Sequence, residues 1–245
     1  LPRGSKAVKI RVKREAKMGP REVTKDIYLL GGADITDPRD CAVYIVDLGE
    51  LVLIDAGSGA SYDELVLNIE KLGLDPAKLA AIILTHCHID HIGGAPRFRE
   101  AFGCRIIMHR LDAEPVEQGD GRMTAATWYN LRFPPMPVDV KLKNEEERLC
   151  FGDHEVVCLH TPGHTPGSLS VYLDRGGTRV LFGQDIHGPF SEEFGSDLTA
   201  WRRSMEKLLA LEADILCEGH FGVFQPKDRV AAYIEHYMRQ YGERS

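Results

Sequence analysis

The sequence has no apolar run approaching the ~18 residues that a membrane-spanning helix needs, so no transmembrane segment is predicted. It has no excess of positive charge. Thirty Lys and Arg stand against 37 Asp and Glu, a formal net charge of -7, which argues against a protein that binds nucleic acid by electrostatics. None of the six cysteines (Cys41, Cys87, Cys104, Cys150, Cys158 and Cys217) belongs to a Cys-x-x-Cys pair. A chain of 245 residues needs no disulfide staples. Scattered single cysteines suit a reducing, cytoplasmic setting, where they read as small buried hydrophobes. The N-terminal stretch lacks the apolar core of a secretion signal. Residues 1–5, Leu-Pro-Arg-Gly-Ser, look like the remnant of an expression tag, and the alternating apolar and basic residues of 6–17 read as a first strand. No linker and no internal repeat divides the chain, so residues 6–245 are taken as one domain.

What is present is ordinary globular composition, 43% hydrophobic and 27% charged, with ten histidines. Runs at 26–30, 41–47 and 51–55 are rich in Val, Ile, Leu and Tyr and predict strands. Leu65, Ile69 and Leu72 recur at helical spacing before Gly73, which predicts a helix over 62–72. The short continuous apolar run 80–84 predicts a buried strand, 95–102 a helix and 104–108 a strand. Residues 123–131 read as a helix that Pro134, Pro135 and Pro137 must end. The second half repeats the rhythm: strands over 138–142, 155–160, 169–173, 179–182 and 215–217, and helices over 198–211 and 229–241. Two β-rich halves, each closed by helices, predict an α/β (α+β) fold. The layout is a four-layer αββα sandwich in which two mixed sheets pack face to face with helices outside.

The sharpest signal is Thr85-His86-Cys87-His88-Ile89-Asp90-His91, directly after the buried strand 80–84. At this composition His-x-His-x-Asp-His occurs by chance about once in a thousand such chains. Burying several imidazoles without a ligand is costly, so the cluster points to a metal site. His86 and His88, two apart, point the same way in an extended segment. Asp90 and His91 follow as the chain turns and could face a second metal, and Gly93-Gly94 lets the chain turn sharply into the next helix. Three further strand ends each deliver His or Asp beside a glycine. They are His164 in Gly163-His164, Asp185 in Gly183-Gln184-Asp185, and His220 in Gly219-His220. Cys87 lies inside the motif, but its side chain should point away from the flanking histidines.

These elements, in this order, resemble the metallo-β-lactamase superfamily, and Asp55 in Leu53-Ile54-Asp55-Ala56-Gly57 matches the family's early aspartate behind the ligands. The resemblance spans roughly residues 22–240. It implies that His86, His88 and His164 bind a first metal, that Asp90, His91 and His220 bind a second, and that Asp185 bridges them. Such N/O ligation suits two divalent ions, Zn foremost, with Fe or Mn also suited. It implies a metal-dependent hydrolase that uses a metal-bridging hydroxide, with Asp90 as the residue that orients it or moves its proton. His187 could contact the substrate's leaving group. His109, His154, His160 and His236 have no motif partner.

The His-Thr-Pro-Gly-His-Thr-Pro-Gly-Ser run from His160 to Ser168 resembles the glyoxalase II-like and lactonase-like branches, which implies a small thioester or lactone substrate. After Asp185 the chain departs from glyoxalase II-like enzymes: Ile186-His187-Gly188-Pro189-Phe190 replaces their Leu-Phe turn, and no Gly-Cys-Gly-Arg follows. A mononuclear-iron persulfide dioxygenase-like oxidoreductase shares the ligand pattern but normally carries the same missing turn. A phosphodiesterase is disfavoured by the acidic balance. The expected partner is a small molecule, with no nucleic acid and no membrane. The segments 117–137, as a lid, and 186–196 shape the pocket. Their aromatics (Trp128, Tyr129, Phe133, Phe190 and Phe194) suit a homodimer contact equally well.

Overall fold

The computed structural model describes residues 17–242. The strand expected over 6–17 and the tag remnant fall outside the described residues, Lys17 excepted. The first half lays down β1 (Arg21–Thr24), β2 (Ile27–Gly31), β3 (Val43–Asp47), β4 (Leu51–Ile54), α1 (Tyr62–Lys71) and β5 (Leu79–Ile83). It continues with the one-turn α2 (Ile89–Ile92), α3 (Ala95–Phe102), β6 (Arg105–His109), α4 (Arg110–Gln118) and β7 (Val140–Leu142). The second half adds β8 (Glu146–Phe151), β9 (His154–His160), β10 (Leu169–Arg175), β11 (Thr178–Gln184), α5 (Leu198–Ala210), β12 (Ile215–Glu218), β13 (Val223–Phe224) and α6 (Lys227–Gly242).

The strands form two mixed sheets. The first runs β1-β2-β3-β4-β5-β6-β7, antiparallel as far as β4 and parallel from there on. The second runs β13-β12-β11-β10-β9-β8, with β11 and β12 parallel and the rest antiparallel. Side chains alternate between two apolar layers, as the two-residue period of a strand requires. In β3 and β4, Tyr44, Val46, Val52 and Ile54 point to the core between the sheets, where they meet Cys158, Val171, Phe182 and Cys217. Val43, Ile45, Leu51 and Leu53 point outward to Leu65 and Ile69 of α1 and Phe98 of α3. On the far side, Val157, Leu181 and Leu216 meet Trp201, Met205 and Leu208 of α5 and Val230 and Ile234 of α6. Three apolar layers separating helix, sheet, sheet and helix are the αββα sandwich.

The helix expected over 123–131 is absent. That segment is a chain of turns. Ala125 and Asn130 both take φ of +53°, which breaks a helix, and the Asp120 carboxylate accepts the backbone N–H groups of Arg122 and Met123. The helix lies earlier, as α4, which carries Pro115 inside it. A proline there reads as a breaker, which hid α4 from the sequence. Strand β8 was hidden by its exposed polar alternation, Glu146, Glu147 and Arg148. Gly93 and Gly94 also need a different reading, since both have ordinary right-handed φ. They are small because the chain is close: a Cβ would lie 2.2 Å from the Ser58 carbonyl oxygen at Gly93 and 2.2 Å from that of Ala56 at Gly94.

Candidate metal centre

The topology brings the predicted residues to one edge of the sandwich. β4 and β5 are parallel neighbours, so Asp55 and the 85–91 segment leave the first sheet side by side. β9, β11 and β12 run in one direction in the second sheet, so the segments carrying His164, Asp185 and His220 leave it together. His86, His88, Asp90, His91, His164 and Asp185 are all buried.

Their donor atoms form two adjoining groups. His86, His88, His164 and Asp185 offer atoms that all lie within 4.8 Å of one another, and Asp90, His91 and His220 do the same. Asp185 spans both. Its Oδ2 is 3.5 Å from His164 Nε2 and 3.9 Å from His86 Nε2. Its Oδ1 is 3.3 Å from His91 Nε2 and 3.4 Å from His220 Nε2. Asp90 Oδ2 lies 3.3 Å from His220 Nε2.

The ring nitrogens that face away from the cluster are held. Asp55 takes φ of +63°, an unusual backbone state for a non-glycine residue. From there it accepts the Thr85 N–H and hydroxyl, each at 2.8 Å, and the His91 Nδ1–H at 2.8 Å. His164 Nδ1 donates to the Pro189 carbonyl at 2.8 Å. Both bonds turn Nε2 toward the cluster, the arrangement that orients metal-binding imidazoles.

The electrostatics follow from the burial. Burial, reinforced by the neighbouring imidazoles, holds His86 and His88 well below the usual imidazole range, and burial brings His164 down to about 4. All three are therefore neutral donors near neutral pH. Burial also acts to lower His220, but the Asp185 and Asp90 carboxylates outweigh it and push His220 up to about 10. Three buried atoms here, His86 Nε2, His88 Nε2 and Asp185 Oδ1, have no hydrogen-bond partner. His88 turns its other nitrogen to the cluster, with Nδ1 2.9 Å from His164 Nε2. Buried polar atoms are seldom left without a partner, and cations among the donors would satisfy His86 Nε2 and Asp185 Oδ1, which face them. The donor set therefore fits a metal.

A cavity of about 210 Å³ opens onto the cluster at His88, Asp90, Asp185 and His220, with Trp128 and Tyr129 in its wall. Trp128 Nε1 donates to Glu193 at 3.1 Å and its ring rests on Phe194. The segments expected to shape the pocket thus meet over it. His187 lines the same cavity. Its Nδ1 is 2.8 Å from Glu218 Oε1, and Glu218 Oε2 accepts the backbone N–H groups of His220 and Phe221 at 2.7 and 2.8 Å. Sequence reasoning missed Glu218, although its place beside His220 was the available signal. It also missed Cys41, which lies buried against Asp55 and His91. Cys87 Sγ turns to the Met123 carbonyl at 3.3 Å, away from the flanking histidines. His109 stacks on His160, and His154 contacts Arg175, so neither joins the cluster.

An αββα sandwich with a His/Asp metal-type cluster at its shared strand ends defines a class, the metallo-hydrolase folds. Within that class the chain belongs to the metallo-beta-lactamase superfamily, whose sequence model matches residues 36–220. It is 29% identical over 213 residues to the "Probable metallo-hydrolase YflN" of Bacillus subtilis, covering 73% of this chain and 79% of that protein. It is 30% identical over 116 residues to an "N-acyl homoserine lactonase" of a Bacillus species, covering 46% and 40%. The subclass B3 metallo-beta-lactamase BJP-1 of Bradyrhizobium japonicum superposes with a TM-score of 0.78 at 24% identity over 94% of both chains, which shows the fold. Among the described residues no helix is long and apolar enough to cross a membrane.

Proposed function

We propose that the protein is a binuclear metal-dependent hydrolase of a small ester-like bond, a lactone or thioester. His86, His88 and His164 hold one divalent ion, Asp90, His91 and His220 hold the other, and Asp185 is shared. The observation that carries this is the pair of unpartnered buried atoms that face the cluster, His86 Nε2 and Asp185 Oδ1, within a donor set free of thiolate. Zn²⁺ suits such N/O ligands best, with Fe and Mn also suited. The name of the lactonase relative supports the lactone class.

When bound, such ions supply Lewis acidity and bring the pKa of water toward neutrality. The chain's own residues do the rest. Asp90 lines the cavity and is placed to take the proton of the attacking water. Tyr129, whose hydroxyl burial keeps protonated, offers a hydrogen-bond donor from the cavity wall. His187 faces the substrate, and Glu218 fixes its ring from behind. Asp55 and the Pro189 carbonyl hold the rings of His91 and His164 with Nε2 toward the metals. Trp128 and Phe194 keep bulk water off His88.

A panel of lactones and thioesters assayed with and without a chelator tests the reading. Hydrolysis of at least one class is expected, abolished by chelation and restored by added Zn²⁺. Turnover that survives chelation, or that survives Asp90→Ala at the parent rate, overturns it.

A further inference from the structure

None of the candidate ligands lies on α5 or α6, yet donors from these two helices hold both ligand loops of the second sheet. In the loop of His164, three successive carbonyl groups are taken up by α5 and the two residues before it. Ser204 Oγ donates to the Pro162 carbonyl at 2.8 Å, the Asp197 N–H to that of Gly163 at 2.9 Å, and Ser196 Oγ to that of His164 at 2.6 Å. In the loop after Asp185, Trp201 Nε1 of α5 donates to the Ile186 carbonyl at 3.1 Å, and the Tyr241 hydroxyl of α6 to the His187 carbonyl at 2.7 Å. Water can satisfy a loop carbonyl, but a donor on a packed helix also fixes where that carbonyl lies.

Trp201 serves both loops at once. It is buried, and it lies so close to the His164 loop that a Cβ added at Gly163 would sit 2.3 Å from Trp201 Cβ and 2.4 Å from its Cα. Its indole N–H meanwhile reaches the other loop, at Ile186. Its ring meets Phe190 and Tyr241 edge to face, with centroids 5.4 and 5.5 Å away, and Phe190 meets Tyr241 at 4.8 Å. Phe190 thus pins the loop after Asp185 between the two helices. The same loop carries the Pro189 carbonyl, which accepts the His164 Nδ1–H. A shift of residues 186–190 would therefore turn the His164 ring, and it would pull on Asp185, the residue just before them.

We propose that Trp201 and Tyr241 are positioning residues of the metal centre, through which α5 and α6 set the spacing of His164 and Asp185. Those two residues belong to one donor group, with His164 Nε2 3.5 Å from Asp185 Oδ2, and one ion binds both only while that spacing is kept. Neither Trp201 nor Tyr241 belongs to a donor group. Each acts through a loop carbonyl. This rests on the metal reading of the cluster.

Tyr241→Phe and Trp201→Phe each remove one donor and keep an aromatic ring. Co²⁺ is the probe, because its visible absorption reports the arrangement of ligands around it. Competition with a chromophoric chelator, run on the full chain well below the Tm of each protein, should show Co²⁺ held about tenfold more weakly by each variant. The visible band of each Co²⁺-loaded variant should differ from the parent's in position or intensity, which a loss of stability alone would not produce. Tyr241 is half-buried and its ring stays in place in Tyr241→Phe, so the Tm of that variant without metal should fall by no more than a few degrees. Affinities within about twofold of the parent's and an unchanged Co²⁺ spectrum overturn the positioning role, whatever happens to Tm, and leave the metal reading standing. A parent that takes up no Co²⁺ overturns the metal reading and the positioning role with it.

Discussion

Asp112 is a fully buried carboxylate on α4 that ties the two ligand-bearing loops together. Its Oδ2 accepts the Cys87 N–H at 2.9 Å and the Thr165 hydroxyl at 2.6 Å, and its Oδ1 accepts the Gly167 N–H at 2.6 Å. One side chain therefore sets the distance between the loop of His86 and His88 and the loop of His164. Asp112→Asn puts an amide NH₂ against an N–H or hydroxyl donor. It should cost ~1–3 kcal/mol of stability and ~10–100-fold in metal affinity, read by denaturation and by competition with a chromophoric chelator. Unchanged affinity would show that the loops hold themselves. His187→Ala should raise KM about tenfold while leaving the metal content at the parent value, because the ring faces the cavity and no ligand depends on it. Equal metal loss would make His187 part of the ligand scaffold instead. The candidate ligands of 86–91 were legible in the sequence because four metal-type side chains in six residues is a rare pattern. Asp112 and Glu218 were not, because a lone carboxylate carries no pattern, and Asp112 acts on residues 25 and 55 positions away.

At the scale of elements, the site depends on how closely the loops pass one another. Gly93→Ala keeps an allowed backbone but places a methyl 2.2 Å from the Ser58 carbonyl oxygen. It should cost ~1–3 kcal/mol and lower Tm by several degrees, whereas a loop free to shift would absorb the methyl with no change. Gly219 is constrained in the same way, since a Cβ there would lie 2.4 Å from Asp185 Oδ1. Strand and helix periods were readable because β3, β4, β5 and β11 are buried on both faces, and α1 and α5 carry apolar residues at helical spacing. Two elements misled. Residues 123–131 have helical composition, but their backbone is set by the Asp120 turn and by the aromatic contacts over the cavity. α4 tolerates Pro115 because packing outweighs local preference.

At the scale of the whole molecule, the two halves are joined by the core between the sheets and by the metal cluster, to which both sheets contribute side chains. The halves also meet where His109, from the end of β6, stacks on His160, from the end of β9, with ring centroids 3.9 Å apart. Burial, and then the neighbouring His160, brings His109 down to about 4 from the ordinary 6.5. The unfolded chain takes up this proton first as the pH falls. The stability that depends on neutral His109 is therefore intact above about pH 6.5 and lost on acidification toward 4, about 1–2 kcal/mol after allowance for solvent screening. Denaturation midpoints of His109→Asn should fall less steeply than the parent's across that interval, and parallel curves would contradict the assignment. The sandwich, and the clustering of the candidate ligands at one edge of it, were readable from the sequence because both follow the chain order of strands. Both sheets together build one centre, proposed to hold two metals. Elemental analysis of the Zn²⁺-saturated, desalted protein, with Asp185→Ala beside the parent, counts those metals. Two equivalents per chain are expected in the parent and fewer in Asp185→Ala; a parent that retains one equivalent or less overturns the two-metal centre.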